Sequence, residues 1–283
     1  LLNPLCCEDE LNKTYNATEH FIKKKYNFND ELKEIKDLDK FLTKLKLQKL
    51  NPNDIYYLYT NSLIIDKIYK KIKKDNFLLD LLNYEKVIVN HDKFKTYLNT
   101  TFDIKIIQNI YSNNFDKYEE LNHKFILKDN FPKLDQQIQN KMESFDKLNV
   151  ILSYLETCFD KKDKDKKTNF IKQHQPSSSE LCLIITKKRA NTIVGVLNKK
   201  IVQKKNIVKL NFVSSYTNKS EEFEFDIEEI YFRDYNKTSS LICSKSIDIL
   251  ISNIYNDNIL FLELLNDSYN KILKYISHNF YQH

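Results

Sequence analysis

Eight basic residues, Lys187, Lys188, Arg189, Lys199, Lys200, Lys204, Lys205 and Lys209, fall between Leu181 and Leu210 with no acidic residue among them. Such side chains bind a nucleic-acid backbone by displacing its condensed counterions, which needs surface charge rather than base-specific geometry. The same run also reads as a solvated face in a lysine-rich chain. The net charge of +6, from 45 basic and 39 acidic residues, is too slight to imply a nucleic-acid partner, so the local distribution carries the argument. The stretch 221–234 just downstream is acidic. If strands at 207–213 and 222–227 pair as a hairpin, Lys209 faces Glu224 or a neighbour. A cross-strand ion pair of that kind is worth about 0.2–1 kcal/mol, and it makes Lys209 the weakest member of the set.

Other chemistries find little support. A phosphate-binding P-loop needs two glycines and a dinucleotide fingerprint three, whereas this chain has Gly195 alone. The histidines at 20, 91, 123, 174, 278 and 283 never fall three or four apart, so no zinc-binding helix is visible. No local signature marks a Ser-His-Asp site. Glu8, Asp9 and Glu10 are adjacent and cannot converge on one metal from regular structure. Cys6 and Cys7 read as two thiols, one of them buried, rather than a catalytic pair. No catalytic, cofactor-binding or metal-ligating residue is assigned, and the segment is read as non-enzymatic. Cysteines at 6, 7, 158, 182 and 243 form no CxxC pair and are odd in number, which points to a reduced, intracellular protein. Nothing resembles a secretory signal or an 18-residue apolar span, so no membrane partner is expected. The chain opens without Met and reads as part of something longer.

The spacing of apolar residues predicts the elements that must carry those lysines. Positions 35, 38, 41, 42 and 45 predict one amphipathic helix over 31–50, with Leu38, Phe41, Leu42 and Leu45 inward. Asn51 then suits an N-cap, Pro52 the first helical position and Asp54 the third. The next helix is predicted over 52–74, with Ile55, Leu58, Tyr59, Ser62, Leu63, Ile65 and Ile68 turned partly inward. Short helices follow between Phe77 and Phe125, broken near Asn90 and at Asn113-Asn114, so 1–131 reads as a helical bundle. Leu134, Ile138, Met142, Phe145, Leu148, Leu152 and Leu155 predict a long helix over 132–159, followed by a charged, Ser/Pro-rich loop or frayed helix end to 180. The period then changes. Short β-branched runs at 181–186 and 207–213, and the alternation of Phe223, Phe225 and Ile227 with acids, predict strands flanking a helix over 188–197. A strand or two beyond these is expected within 181–237. Helical spacing returns at Thr238 through Leu241, Ile242, Ile247 and onward, with Asn256-Asp257-Asn258 as an interruption. The predicted fold is mainly α: a helical core at 1–131, a long helix and loop at 132–180, an inserted α+β unit at 181–237, and returning helices at 238–283 antiparallel to the first.

This organisation resembles the core, lever and clamp region of the MutS family of DNA mismatch-repair ATPases. Asn3-Pro4-Leu5, Glu8 to Leu11 and Phe21 are similar to the segment that opens the family's core bundle. Leu32, Ile35, Asp37, Leu38, Phe41, Leu42, Leu47, Pro52, Asp54, Leu58, Ser62 and Leu63 are similar to its following segment, which carries "L-x-x-I-x-D-L" and then "P-x-D" wording, with Lys44 in place of Arg. "PKLDQQI" from Pro132 resembles the start of the family's descending lever helix. "LCLIITKKRA" and "NKTSSLICSKSI" look closer to its divergent seventh branch, known from octocoral mitochondria and giant viruses, than to bacterial MutS. The family's mismatch-sensing wedge and Walker-type ATPase have no counterpart in these residues. Phe261-Leu262-Glu263 matches the wedge wording but falls inside a helical pattern and is read as coincidence.

The resemblance implies double-stranded DNA as partner, held by its backbone through the eight basic residues. It also implies a second MutS-like subunit in the full-length protein. ATP and Mg are implied for the parent protein and no cofactor for this segment. The alternative is a helical protein-interaction scaffold that does not bind DNA. The compartment, whether nucleus, mitochondrion, virus factory or virion, is left open by the sequence.

Overall fold

The computed structural model describes residues 7–115, 125–159, 170–174 and 181–280, with backbone alone at 84–86. Asn3-Pro4-Leu5, Cys6 and most of the predicted 160–180 loop lie outside the described residues. The chain runs α1 (Glu8–Lys24), α2 (Asn29–Glu34), α3 (Leu38–Lys46), α4 (Pro52–Ile72), α5 (Asn76–Leu81), α6 (Tyr84–Thr101), α7 (Ile104–Ile107), α8 (Pro132–Glu156), β1 (Lys172–His174), β2 (Cys182–Thr186), α9 (Lys187–Val202), β3 (Ile207–Val213), β4 (Ser220–Asp226), β5 (Tyr231–Asp234), β6 (Ser239–Cys243) and α10 (Lys245–Phe280). It is mainly helical with small antiparallel sheets. Two compact units result, Leu1–Asn130 with Asn266–His283, and Phe131–Leu265.

In the first unit, the helix predicted over 31–50 is broken into α2 and α3. Ile35 is extended, and Asp37 caps α3 by accepting from Lys40 N. The cause lies in α4. The Asn61 side chain accepts from Lys36 N and donates to Lys36 O, each at 3.0 Å, and so replaces the helical partners of that peptide. With Asn61, Ser62 and Ile64 turned inward, Leu63 is 38% exposed and Leu38 44%, against the predicted inward positions of both. The turn at 47–51 is built as its residues indicate. Gln48 adopts a left-handed φ of 54°, Lys49 N donates to Lys44 O, and Asn51 and Asp54 form a reciprocal capping box. Lys44 closes the corner with its ammonium 2.7 Å from Asp54. Helix α6 runs unbroken through Asn90. The centre of the unit is an aromatic cluster in which the fully buried Tyr269 stands edge-on to Phe102, Phe115 and Phe125.

Helix α1 buries no residue. It is tied down by His20, whose Nε2–H donates to Asp75 Oδ2 at 2.7 Å, while Tyr26, just past the helix, donates to the same oxygen at 3.0 Å. The His20 hydrogen bond holds the Asp75 carboxyl below the usual carboxylate range. A carboxyl depressed on folding stabilises above its unfolded value, about 3.9, and that contribution is lost as pH falls through the folded value. Hydrogen-exchange protection of α1 is therefore expected to fall as pH drops below about 4. Asp75→Asn should loosen α1 and flatten that pH dependence.

In the second unit, a four-stranded antiparallel sheet has the order β1-β2-β6-β5, and β3 and β4 form a separate hairpin. Strand β1 arises in what was predicted as loop. Strand β6 replaces the helical start predicted at Thr238: it pairs with β2 on one side and β5 on the other. Helix α10 begins only after Ser244, whose hydroxyl accepts from Ile247 N at 3.0 Å. Leu148, Ile151 and Leu155 of α8, Leu183 and Ile185 of β2, Ile193 and Leu197 of α9, Phe225 of β4, and Ile247 and Ile251 of α10 share one core. The interruption predicted at Asn256-Asp257-Asn258 does not occur. Asp257 accepts from Gln137 Nε2 at 2.7 Å and Asn258 from Lys141 Nζ at 2.7 Å, so these residues bridge α10 to α8 within a continuous helix. Burial pushes the Lys141 ammonium below its ordinary pKa, against the pull of Asp257.

Candidate nucleic-acid interface

Helix α9 follows β2 with no intervening loop, and Lys187 N donates to Thr238 O at 3.0 Å. Its inward face is Ala190, Ile193 and Leu197. At 100° per residue, Lys188, Asn191, Gly195, Lys199 and Val202 project on the opposite side. Eleven residues separate Lys188 from Lys199, or about 16 Å along the axis at three turns' distance. Past the helix end, Lys204 takes a left-handed φ of 58° while Lys205 N donates to Lys200 O at 3.1 Å, a closing motif usually built on glycine. Gly195 itself needs no special conformation, and a Cβ there would meet nothing within 4 Å. Gly195→Ala is expected to stabilise the second unit by about 1 kcal/mol, the helix-propensity difference, measured by chemical denaturation.

The eight basic residues divide into two groups. Lys187 is paired with Asp234 at 2.8 Å. The Arg189 guanidinium lies 4.1 Å from the centre of the Phe170 ring. Lys200 Nζ donates to Tyr154 Oη at 3.0 Å and covers that ring. Lys209 is in register with Glu224 and bonds Glu222 at 3.1 Å, which raises its pKa. It shares the outer face of the hairpin with Glu222, Glu224 and Asp226, so its field there is cancelled. The remaining four, Lys188, Lys199, Lys204 and Lys205, are exposed and have no ion-pair partner among the described residues. As expected from their alternation, Phe225 and Ile227 are buried, and Phe223 packs partly against the same core.

One cluster had no local signature in the sequence. In the first unit, Asp66 of α4 meets His91 and Asp92 of α6, with one ligand atom from each within 4.8 Å of the others. Lys95 supplies the cation for this cluster, 2.7 Å from Asp66 and 3.2 Å from Asp92. Burial works to raise the Asp66 pKa, but Lys95 and His91 outweigh it and hold it low. The group is a closed ion-pair network. An apolar cavity of about 350 Å³ beside it is lined by Leu42, Leu45, Leu58, Val87, Phe94 and His91, among others. The imidazole is engaged by Asp66 at 3.0 Å. Among the described helices none is long and apolar enough to cross a membrane.

Comparison with protein-family models found no match, and comparison with curated proteins found none.

Proposed function

We propose that this chain is the DNA-binding core, lever and clamp segment of a MutS-like mismatch-repair or recombination protein. It contacts the duplex backbone without reading sequence and couples DNA to an ATPase outside these residues. In this reading α8 and α10 are the lever helices and the sheet-bearing region is the clamp. ATP and Mg belong to the parent protein, which pairs with a second MutS-like subunit. The observation that carries the DNA part is the set Lys188, Lys199, Lys204 and Lys205, solvent-facing cations with no ion-pair partner among the described residues. The family part rests on the resemblance of Leu32 to Leu63 and on the order of elements.

Fluorescence anisotropy with a labelled duplex tests it. Four phosphate contacts predict a loss of roughly 10²-fold in affinity between about 50 and 200 mM salt. Lys188→Ala combined with Lys199→Ala should lower the log–log salt slope by about 2, each lysine accounting for about one released counterion. Lys187→Ala combined with Lys209→Ala should leave the slope where it was. An unchanged slope in the first pair removes the site. The exposed Phe77, Leu81, Leu82 and Val87 of the first unit favour the second reading, a protein-interaction scaffold. Partner binding indifferent to salt, with no duplex retained at low salt, supports that reading instead.

A further inference from the structure

We infer that the outer face of the four-stranded sheet is a platform for single-stranded nucleic acid. The register fixes which side chains share that face. Lys172 is opposite Ile184, Ile184 is opposite Leu241, and Leu241 is opposite Arg233, so one row crosses all four strands. Directly opposed residues project to the same side of a sheet, as do residues two apart along a strand. His174 and Cys182, opposite each other, therefore join this face, as do Cys243 and Tyr231. Tyr231 is the register partner of Cys243 and so stands beside it on this side. Leu183, Ile185 and Ile242 project the other way and are buried in the core.

The resulting surface has cations at both edges, Lys172 on β1 and Arg233 on β5, with the His174 imidazole beside Lys172, all exposed. Its centre is the half-buried pair Ile184 and Leu241, and its aromatic is Tyr231, 53% exposed. No Asp or Glu is among the strand residues of this face. Among the described residues, Asp248 of α10 acts on Cys243, where Arg233 opposes it. Three interstrand spacings put about 14 Å between β1 and β5. A four-stranded sheet of that width accepts two or three unstacked bases, with an aromatic stacking on one and basic edges holding the backbone. A duplex keeps its bases stacked inside and cannot use Tyr231 in this way. The inference is independent of the duplex reading, which concerns the outward face of α9.

The test is anisotropy of the full chain with labelled oligo-dT, oligo-rU and a duplex at low salt. Tyr231→Ala should weaken both single strands roughly 10-fold and leave the duplex unchanged, as loss of one base stack requires. Tyr231→Phe should bind like the parent, and Tyr231→Leu, which keeps apolar bulk without the ring, should behave like the alanine variant. Lys172→Gln with Arg233→Gln should lower the single-strand salt slope by between 1 and 2, roughly one counterion per contact. Preference for dT or rU identifies the natural strand, and either outcome supports the platform. Parent affinity for neither single strand, alanine and leucine variants equal to the parent, or an equal loss on the duplex would each overturn it. Failure of the α9 lysine variants alone removes only the duplex site.

Discussion

Tyr269→Ala is expected to destabilise the first unit by about 3–5 kcal/mol, the range for removing a large buried aromatic. The ring is fully buried among Phe102, Phe115 and Phe125, with centroids 6.3, 5.3 and 6.1 Å away. Its hydroxyl donates to Leu50 O at 2.9 Å. Leu50 is itself fully buried, so the alanine variant also removes the donor to that carbonyl. Tyr269→Phe separates the two contributions: it keeps the ring and should cost about 1–3 kcal/mol for the unsatisfied acceptor. A single domain is typically stable by about 5–15 kcal/mol, so the alanine variant takes a large share of what is available. Urea titration followed by tyrosine fluorescence measures both, and hydrogen exchange should show the turn at 47–51 opening first. A phenylalanine variant as damaging as alanine would mean that the hydroxyl, not the aromatic cluster, secures this core.

That contact explains why one part of the fold was legible in the sequence and another was not. The turn at 47–51 could be read because its determinants are local: Asn51, Pro52 and Asp54 act within one helical turn. The break at 35–37 could not, since Asn61 causes it from 25 residues away while the apolar stripe stays in helical phase across it. Asn256-Asp257-Asn258 reads as an interruption on propensity alone. Gln137 and Lys141, some 120 residues earlier, turn those side chains into interhelical bonds. The run at 239–243 is too short to reveal its period, and its status as a strand is decided by β2 and β5.

The candidate site follows the same rule. Charge density in 181–210 was visible, but the division of the eight basic residues was not. The partners Asp234 of β5, Phe170 just before β1 and Tyr154 of α8 come from elsewhere in the chain. Only Lys209 had a partner that strand alternation could anticipate. The ion-pair network around Asp66 has the same origin, because α4 and α6 bring together residues 25 and 29 apart.

Replacing Lys188, Lys199, Lys204 and Lys205 together by glutamate is expected to reduce duplex affinity at about 100 mM salt by at least 10²-fold, the largest functional effect in the molecule. Four lost counterion-releasing contacts lower the log–log salt slope by roughly 3–4, and the glutamates add repulsion. Near 1 M salt the Debye length shrinks to about 3 Å, and parent and variant should converge there. None of the four side chains is buried, and none has an ion-pair partner among the described residues. Each exposed substitution should therefore change stability by no more than about 0.5 kcal/mol, so lost binding cannot be ascribed to unfolding. Glutamate at Lys187 and Lys209 is the control: it sets like charges beside Asp234 and Glu222, disturbs stability, and leaves the slope alone. A quadruple variant that folds like its parent and keeps its slope would mean that phosphates do not approach α9, whose outward face would then be solvated surface.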